Sequence, residues 1–284
     1  MRASVVVVVV VVGLTARGSA QPAPCNDGAA CQARGKQLEA SDSAAAFAAY
    51  DHGCSLHDAM SCVGAAYMVQ NGKVGKADPA RAQTYFVVAC GKDFEEPLAC
   101  AVAGLNLLRG VGGTGDHAKD VELGSYMLFK SCDGGSGFGC YNFGVVERDG
   151  LAGRADAKRA YLAFDRACRG GEAGGCREQG IALLAGTGVA KDPPSAVALF
   201  EKACASAPAE CYELAVVYDK GAVVAADDKK ARELYSKSCD AGEGAACYNA
   251  ALMIAGGRGG PHDDAAAHAR LAQACKGGVK RACN

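Results

Sequence analysis

The cysteines of this chain are spaced like marks on a ruler. Sixteen of them fall into eight close couples: Cys25 with Cys31, Cys54 with Cys62, Cys90 with Cys100, Cys132 with Cys140, Cys168 with Cys176, Cys204 with Cys211, Cys239 with Cys247, and Cys275 with Cys283. The members of a couple are 6 to 10 residues apart. The interval to the next couple is 28 residues after each of Cys62, Cys140, Cys176, Cys211 and Cys247, so the period is about 36. One such unit is too short to bury an apolar face alone, so a fixed period of this size implies stacked supersecondary units sharing a continuous core.

Other residues keep the same spacing. Gly72, Gly110, Gly150, Gly186, Gly221 and Gly257 each lie ten residues after a cysteine. Glycine closes a helix by adopting the left-handed conformation, so each predicts the end of a first helix, A. Asp78, Asp156, Asp192, Asp227 and Asp263 follow six residues later and predict N-caps of a second helix, B, with Asp120 in that role after a four-residue insertion. Pro79 and Pro193 suit the first position of that helix, where no donor is missed. Four residues after the cysteine stand only Gly35, Ala66, Gly104, Gly144, Gly180, Ala215 and Ala251. Four residues before one stand Tyr50, Phe86, Leu128, Phe164, Phe200, Tyr235 and Leu271. Small residues let A approach B, and the bulky ones fill the space between them. The spacing predicts seven helix pairs, beginning near residues 31, 62, 100, 140, 176, 211 and 247, and a cap over 275–284. The first pair lacks the glycine loop, and the third carries two extra residues between Cys90 and Cys100.

Each couple joins the end of a helix B to the start of the next helix A. Sixteen cysteines permit many connectivities, and pairing within couples is the one that treats every repeat alike. A closed loop of about nine residues contributes roughly 2 to 3 kcal/mol in the chain-entropy model, which is how a core poor in aromatics persists. Zinc and redox-active sites favour closer Cys-x2-Cys clusters, so neither a metal nor a cofactor is expected. Disulfides need an oxidising compartment, and the N-terminus supplies a route to one: Arg2, the apolar run Val5–Val12 and small residues up to Ala20 form a secretory signal sequence. Cleavage near Ala20 leaves 28 basic against 31 acidic residues, a net charge of −3. That balance gives no electrostatic reason to bind nucleic acid, and no other stretch reaches membrane-spanning length. Pro24 argues against lipidation at Cys25.

The segments Tyr161-Leu-Ala-Phe-Asp-Arg-Ala-Cys168, Gly174-Gly-Cys176, Gly186-Thr-Gly-Val189 and Ala196-Val-Ala-Leu-Phe-Glu-Lys-Ala-Cys204 carry a resemblance. From Cys25 to Cys283 the chain resembles the Sel-one-like repeat (SLR) family, cousins of the tetratricopeptide repeats, and in particular the Helicobacter-type cysteine-rich proteins. The resemblance implies an all-α, right-handed α-solenoid of disulfide-braced helix pairs, exported from the cell. It also implies a rival biochemistry, the binding or weak hydrolysis of penicillin-type β-lactams, with cell-wall fragments as related ligands.

The residues give that rival no support. No serine has the lysine three positions on that a serine β-lactamase uses, and His52, His57, His117, His262 and His268 form no zinc motif. Gly134-Gly-Ser-Gly-Phe138 lies in a couple loop without the strand of a nucleophile elbow, and Gly112-Gly-Thr-Gly115 lacks the lysine of a phosphate loop. A solenoid commonly binds along its concave face, lined by the A helices. Positions two, six and nine after the cysteine point away from the small-residue stripe and select Asn142, Glu178, Glu213, Asn249, Asn106, Met253, Arg109, Asp149 and Lys220. Tyr141, Tyr212 and Tyr248 directly follow their cysteines, while Glu95, Glu96 and His117 mark the irregular third repeat. The expectation is a monomeric, secreted or periplasmic scaffold that binds a protein or peptide along Asn106, Arg109, Tyr141, Asn142, Glu178, Tyr212, Glu213, Tyr248 and Asn249.

Overall fold

The computed structural model describes residues 25–91 and 96–283; the expected signal sequence and Glu95 lie outside them. Within the described residues the chain forms seven successive helix hairpins and no strand. The A helices are α1 (Gly28–Leu38), α3 (Ala59–Gln70), α5 (Pro97–Leu108), α7 (Gly137–Asp149), α9 (Ala173–Ala185), α11 (Tyr212–Lys220) and α13 (Gly244–Ala255). The B helices are α2 (Ser43–Ser55), α4 (Pro79–Ala89), α6 (His117–Asp133), α8 (Ala157–Arg169), α10 (Pro193–Ser206), α12 (Asp228–Asp240) and α14 (Asp264–Lys276). Short 3-10 turns occupy Pro208–Cys211 and Lys280–Ala282.

The eight bridges pair the cysteines within couples, with Cα atoms 4.2 to 5.1 Å apart, as the spacing predicts. No free cysteine remains among the described residues. All six ruler glycines have positive φ, between 64° and 77°. Asp78, Asp156, Asp192, Asp227 and Asp263 accept hydrogen bonds from first-turn amides of α4, α8, α10, α12 and α14. The serine of the glycine-rich couple loop, Ser136, caps α7 through its hydroxyl.

The third repeat corrects the expectation for Asp120. Its N-cap is Asp116, which stands at the ruler position, and no loop insertion precedes it. The four extra residues lie in α6, which has 17 residues where α8 has 13, so they add about one turn and keep the packing face in register. Asp120 falls where other repeats place a buried alanine. It is buried there, accepting from Thr114 N at 2.7 Å and Thr114 Oγ1 at 2.8 Å, and those two bonds hold its carboxyl below the usual range.

The core follows the large-against-small rule. Phe86, Leu128, Phe164, Phe200 and Tyr235 are at most 2% exposed. A Cβ added to Gly180 would sit 2.6 Å from Phe200 Cε1, so here the glycine is needed for contact and not for backbone freedom. Leu271, in α14, is only half-buried. Contacts between repeats run along both rows, through α1 with α3, α5 with α7 and α7 with α9 among the A helices and through α6 with α8 and α12 with α14 among the B helices.

Candidate binding face

Ion pairs cross the A-helix row between neighbouring repeats. At the end of α7, Arg148 grips Asp149 through Nε–Oδ1 at 2.7 Å and Nη2–Oδ2 at 3.1 Å, while its Nη1 reaches Glu178 Oε2 of α9 at 3.0 Å. Glu178 Oε1 takes Arg177 Nη1 at 3.0 Å, and Arg177 Nε continues to Glu210 Oε2 at 2.6 Å in the turn before α11. The chain Asp149–Arg148–Glu178–Arg177–Glu210 therefore links three consecutive repeats.

Burial tunes the charges in this chain. The Glu178 side chain is 9% exposed, and each of its oxygens faces one guanidinium. Arg148 holds the Asp149 carboxyl below its ordinary value. Burial presses the Arg177 guanidinium down, but Glu178 and Glu210 outweigh it and the net shift is upward. Glu213 lies beside the chain and forms no ion pair among the described residues. Burial raises its carboxyl, Arg177 offsets part of that, and Glu178 adds to it. With Lys220 counted, three cations face four carboxylates, Asp149, Glu178, Glu210 and Glu213, so the patch is slightly acidic.

The structure thus brings Glu178, Glu213, Asp149 and Lys220 together but distributes the other expected residues. Asn142 Nδ2 donates to Phe138 O of its own helix at 2.8 Å. Asn106 Nδ2 donates to Gln83 Oε1 at 2.9 Å, where Gln83 is fully buried and also holds Ala103 O. Asn249 stands beside the Tyr235 hydroxyl. Arg109 ends α5, exposed and apart from the network. The tyrosines are half-buried: Tyr141 lies against Phe164 and Tyr212 against Tyr235 within their own hairpins, and Tyr248 lies beneath the Arg281 guanidinium at 4.0 Å. Met253 does not belong to the face. It is 2% exposed in the last core, because α13 buries position six where α5 leaves Asn106 half-buried. Glu96 caps α5, and all five histidines are exposed.

Sequence reasoning missed Arg148, Arg177 and Glu210. A signal for one of them existed: Arg177 occupies the position directly after the cysteine where three other repeats carry tyrosine. A surface groove of about 770 Å³ lies elsewhere, between α12 and the loops at Pro208 and Gly259–Pro261.

A row of paired helices with a charged A-helix face and a covalent clasp at every junction defines a disulfide-braced α-solenoid. The chain contains Sel1 repeats: the sequence profile of the Sel1 repeat matches residues 58–92, 176–207, 211–243 and 244–279. No curated protein matches the sequence. Among solved structures, a protective antigen of uropathogenic Escherichia coli with an SLR fold aligns with TM-score 0.71 and 22% identity over 83% of this chain and 50% of its own. The chain therefore spans half the length of that antigen. A Sel1 repeat protein from Oxalobacter formigenes aligns with TM-score 0.66 and 18% identity over 78% of this chain and 84% of its own. These two likenesses bear on fold alone. Cysteine-rich protein B of Helicobacter pylori is 29% identical over 44% of this chain and 86% of its own, at TM-score 0.35.

Proposed function

We propose that the protein is an exported binding scaffold that holds a protein or peptide segment along the A-helix face of α7, α9 and α11. The observation that carries this reading is the ion-pair chain from Asp149 to Glu210. Surface pairs contribute little to stability, and a solenoid already clasped by eight disulfides has little need of them. Charges fixed in place by partners from neighbouring repeats are pre-organised, which reduces the ordering cost when a polar chain docks. Eight disulfides fit folding in an oxidising compartment, and no helix among the described residues is long and apolar enough to cross a membrane.

The test is selection of peptides from a displayed random library on the oxidised protein. Selected peptides should lose binding to an Arg177→Ala, Glu213→Lys double variant and keep it on a variant altered at Glu233 of the α12 groove. Peptides that bind both variants equally, or a library that yields none, would refute the assignment.

A further inference from the structure

The bridge nearest the start of the chain has surroundings unlike those of the other seven. Cys25 is half-buried in the irregular lead-in to α1, Cys31 is buried in the first turns of that helix, and the exposed His52 approaches from α2. One ligand atom from each of the three lies within 4.8 Å of the other two, and no other trio of His, Cys, Asp or Glu among the described residues meets that condition. While the sulfurs are bonded to each other they cannot act as thiolate ligands.

We propose that reduction of the Cys25–Cys31 bridge converts this end of the solenoid into a Cys2His site for zinc. Ligand atoms around tetrahedral zinc stand about 3.5 Å apart, given bonds of about 2.3 Å to sulfur and about 2.0 Å to nitrogen. The trio is already close to that spacing, and only the sulfurs must part. Cys25 precedes the capping Asp27 and belongs to no helix, so it moves without breaking the α1 ladder. The exposed imidazole leaves a fourth position for water. An external dithiol supplies two electrons and two protons, becomes a disulfide itself and leaves Cys25 and Cys31 as thiols. Zinc binding then releases both thiol protons to solvent.

Burial narrows the reaction to three bridges, Cys25–Cys31, Cys54–Cys62, where Cys54 is half-buried like Cys25, and Cys275–Cys283. In the five bridges from Cys90–Cys100 to Cys239–Cys247 both cysteines are buried, so a reductant reaches them only through opening of the core. Cys275–Cys283 provides a control, because Cys283 is exposed but no histidine, aspartate or glutamate among the described residues completes a trio there.

The experiment treats the full oxidised chain with limiting dithiothreitol, desalts it under argon, and alkylates with and without zinc before peptide mass mapping. Without zinc, Cys25, Cys31, Cys54, Cys62, Cys275 and Cys283 should all be labelled. Zinc should abolish labelling of Cys25 and Cys31 only, and a His52→Ala variant, which keeps the wild-type thermal melt because the ring is exposed, should lose that protection. The proposal is overturned if the N-terminal bridge stays oxidised while the C-terminal one opens, if zinc leaves Cys25 and Cys31 reactive, or if His52→Ala protects as well as wild type.

Discussion

Replacing Gly180 by alanine pits two opposing effects against each other. In the middle of an exposed helix this change ordinarily stabilises by about 1 kcal/mol, because alanine restricts the unfolded chain and favours helix. In α9 the new Cβ would lie 2.6 Å from Phe200 Cε1, 2.9 Å from Cδ1 and 3.2 Å from the Ala196 carbonyl oxygen. Phe200 has 0% exposure and cannot swing outward, so α9 and α10 must separate. Overpacking of this kind costs about 1 to 3 kcal/mol, so against that gain the net expectation is a loss of about 1 kcal/mol and at most about 2 kcal/mol. Urea denaturation of the oxidised protein measures it as a lower midpoint. Adding Phe200→Leu should recover much of the loss, and a double-mutant cycle should give a coupling of about 1 kcal/mol. A Gly180→Ala midpoint equal to or above wild type would refute the claim that contact, not conformation, selects glycine there.

Further predictions follow from the same geometry. Asp116→Ala should cost about 1 kcal/mol in the urea midpoint by uncapping α6, confirming that the cap lies at the ruler position. The Glu213 carboxyl is raised above its reference of 4.5 in the folded chain, so its contribution is fully present below that value and is lost as pH rises through the folded pKa. Glu213→Gln should therefore raise the denaturation midpoint at pH 7 relative to wild type and leave it unchanged at pH 3. Asp149 has the opposite sign: its folded pKa is lowered, so its contribution exists above the unfolded value and disappears as acid titrates the folded carboxyl, and the pH dependence of Asp149→Asn stability checks this. Purified oxidised protein is expected not to turn over nitrocefin, since no Ser-x-x-Lys is present; turnover abolished by a single side-chain change would restore the β-lactam reading.

The repeat unit was legible because its markers answer to backbone geometry. Left-handed helix ends admit little but glycine, first-turn amides draw aspartate, and helix contact demands small residues, so Gly186, Asp192 and Gly180 announce their positions in one dimension. Asp120 misled because it is an aspartate next to a loop, and only the register of α6 shows that it replaces an alanine and serves Thr114. The binding face was half legible. Periodicity found Glu178 and Glu213, but Arg148 and Glu210 lie 30 and 32 residues from Glu178, and a contact across repeats leaves no local pattern. Met253 was misplaced because helical spacing fixes an angle around α13 without saying how far the next hairpin covers it.

The clasps close the turns between repeats and leave the turns within repeats unclosed. A protease that cuts inside a segment such as Arg169–Gly175 therefore severs the backbone without releasing anything, because Cys168 and Cys176 still tether the two halves. A cut at a glycine loop such as the one after Gly186 has no such tether and would shed pieces sized in multiples of about 36 residues. For a chain working among extracytoplasmic proteases, resistance to digestion would then be decided at those unclasped loops.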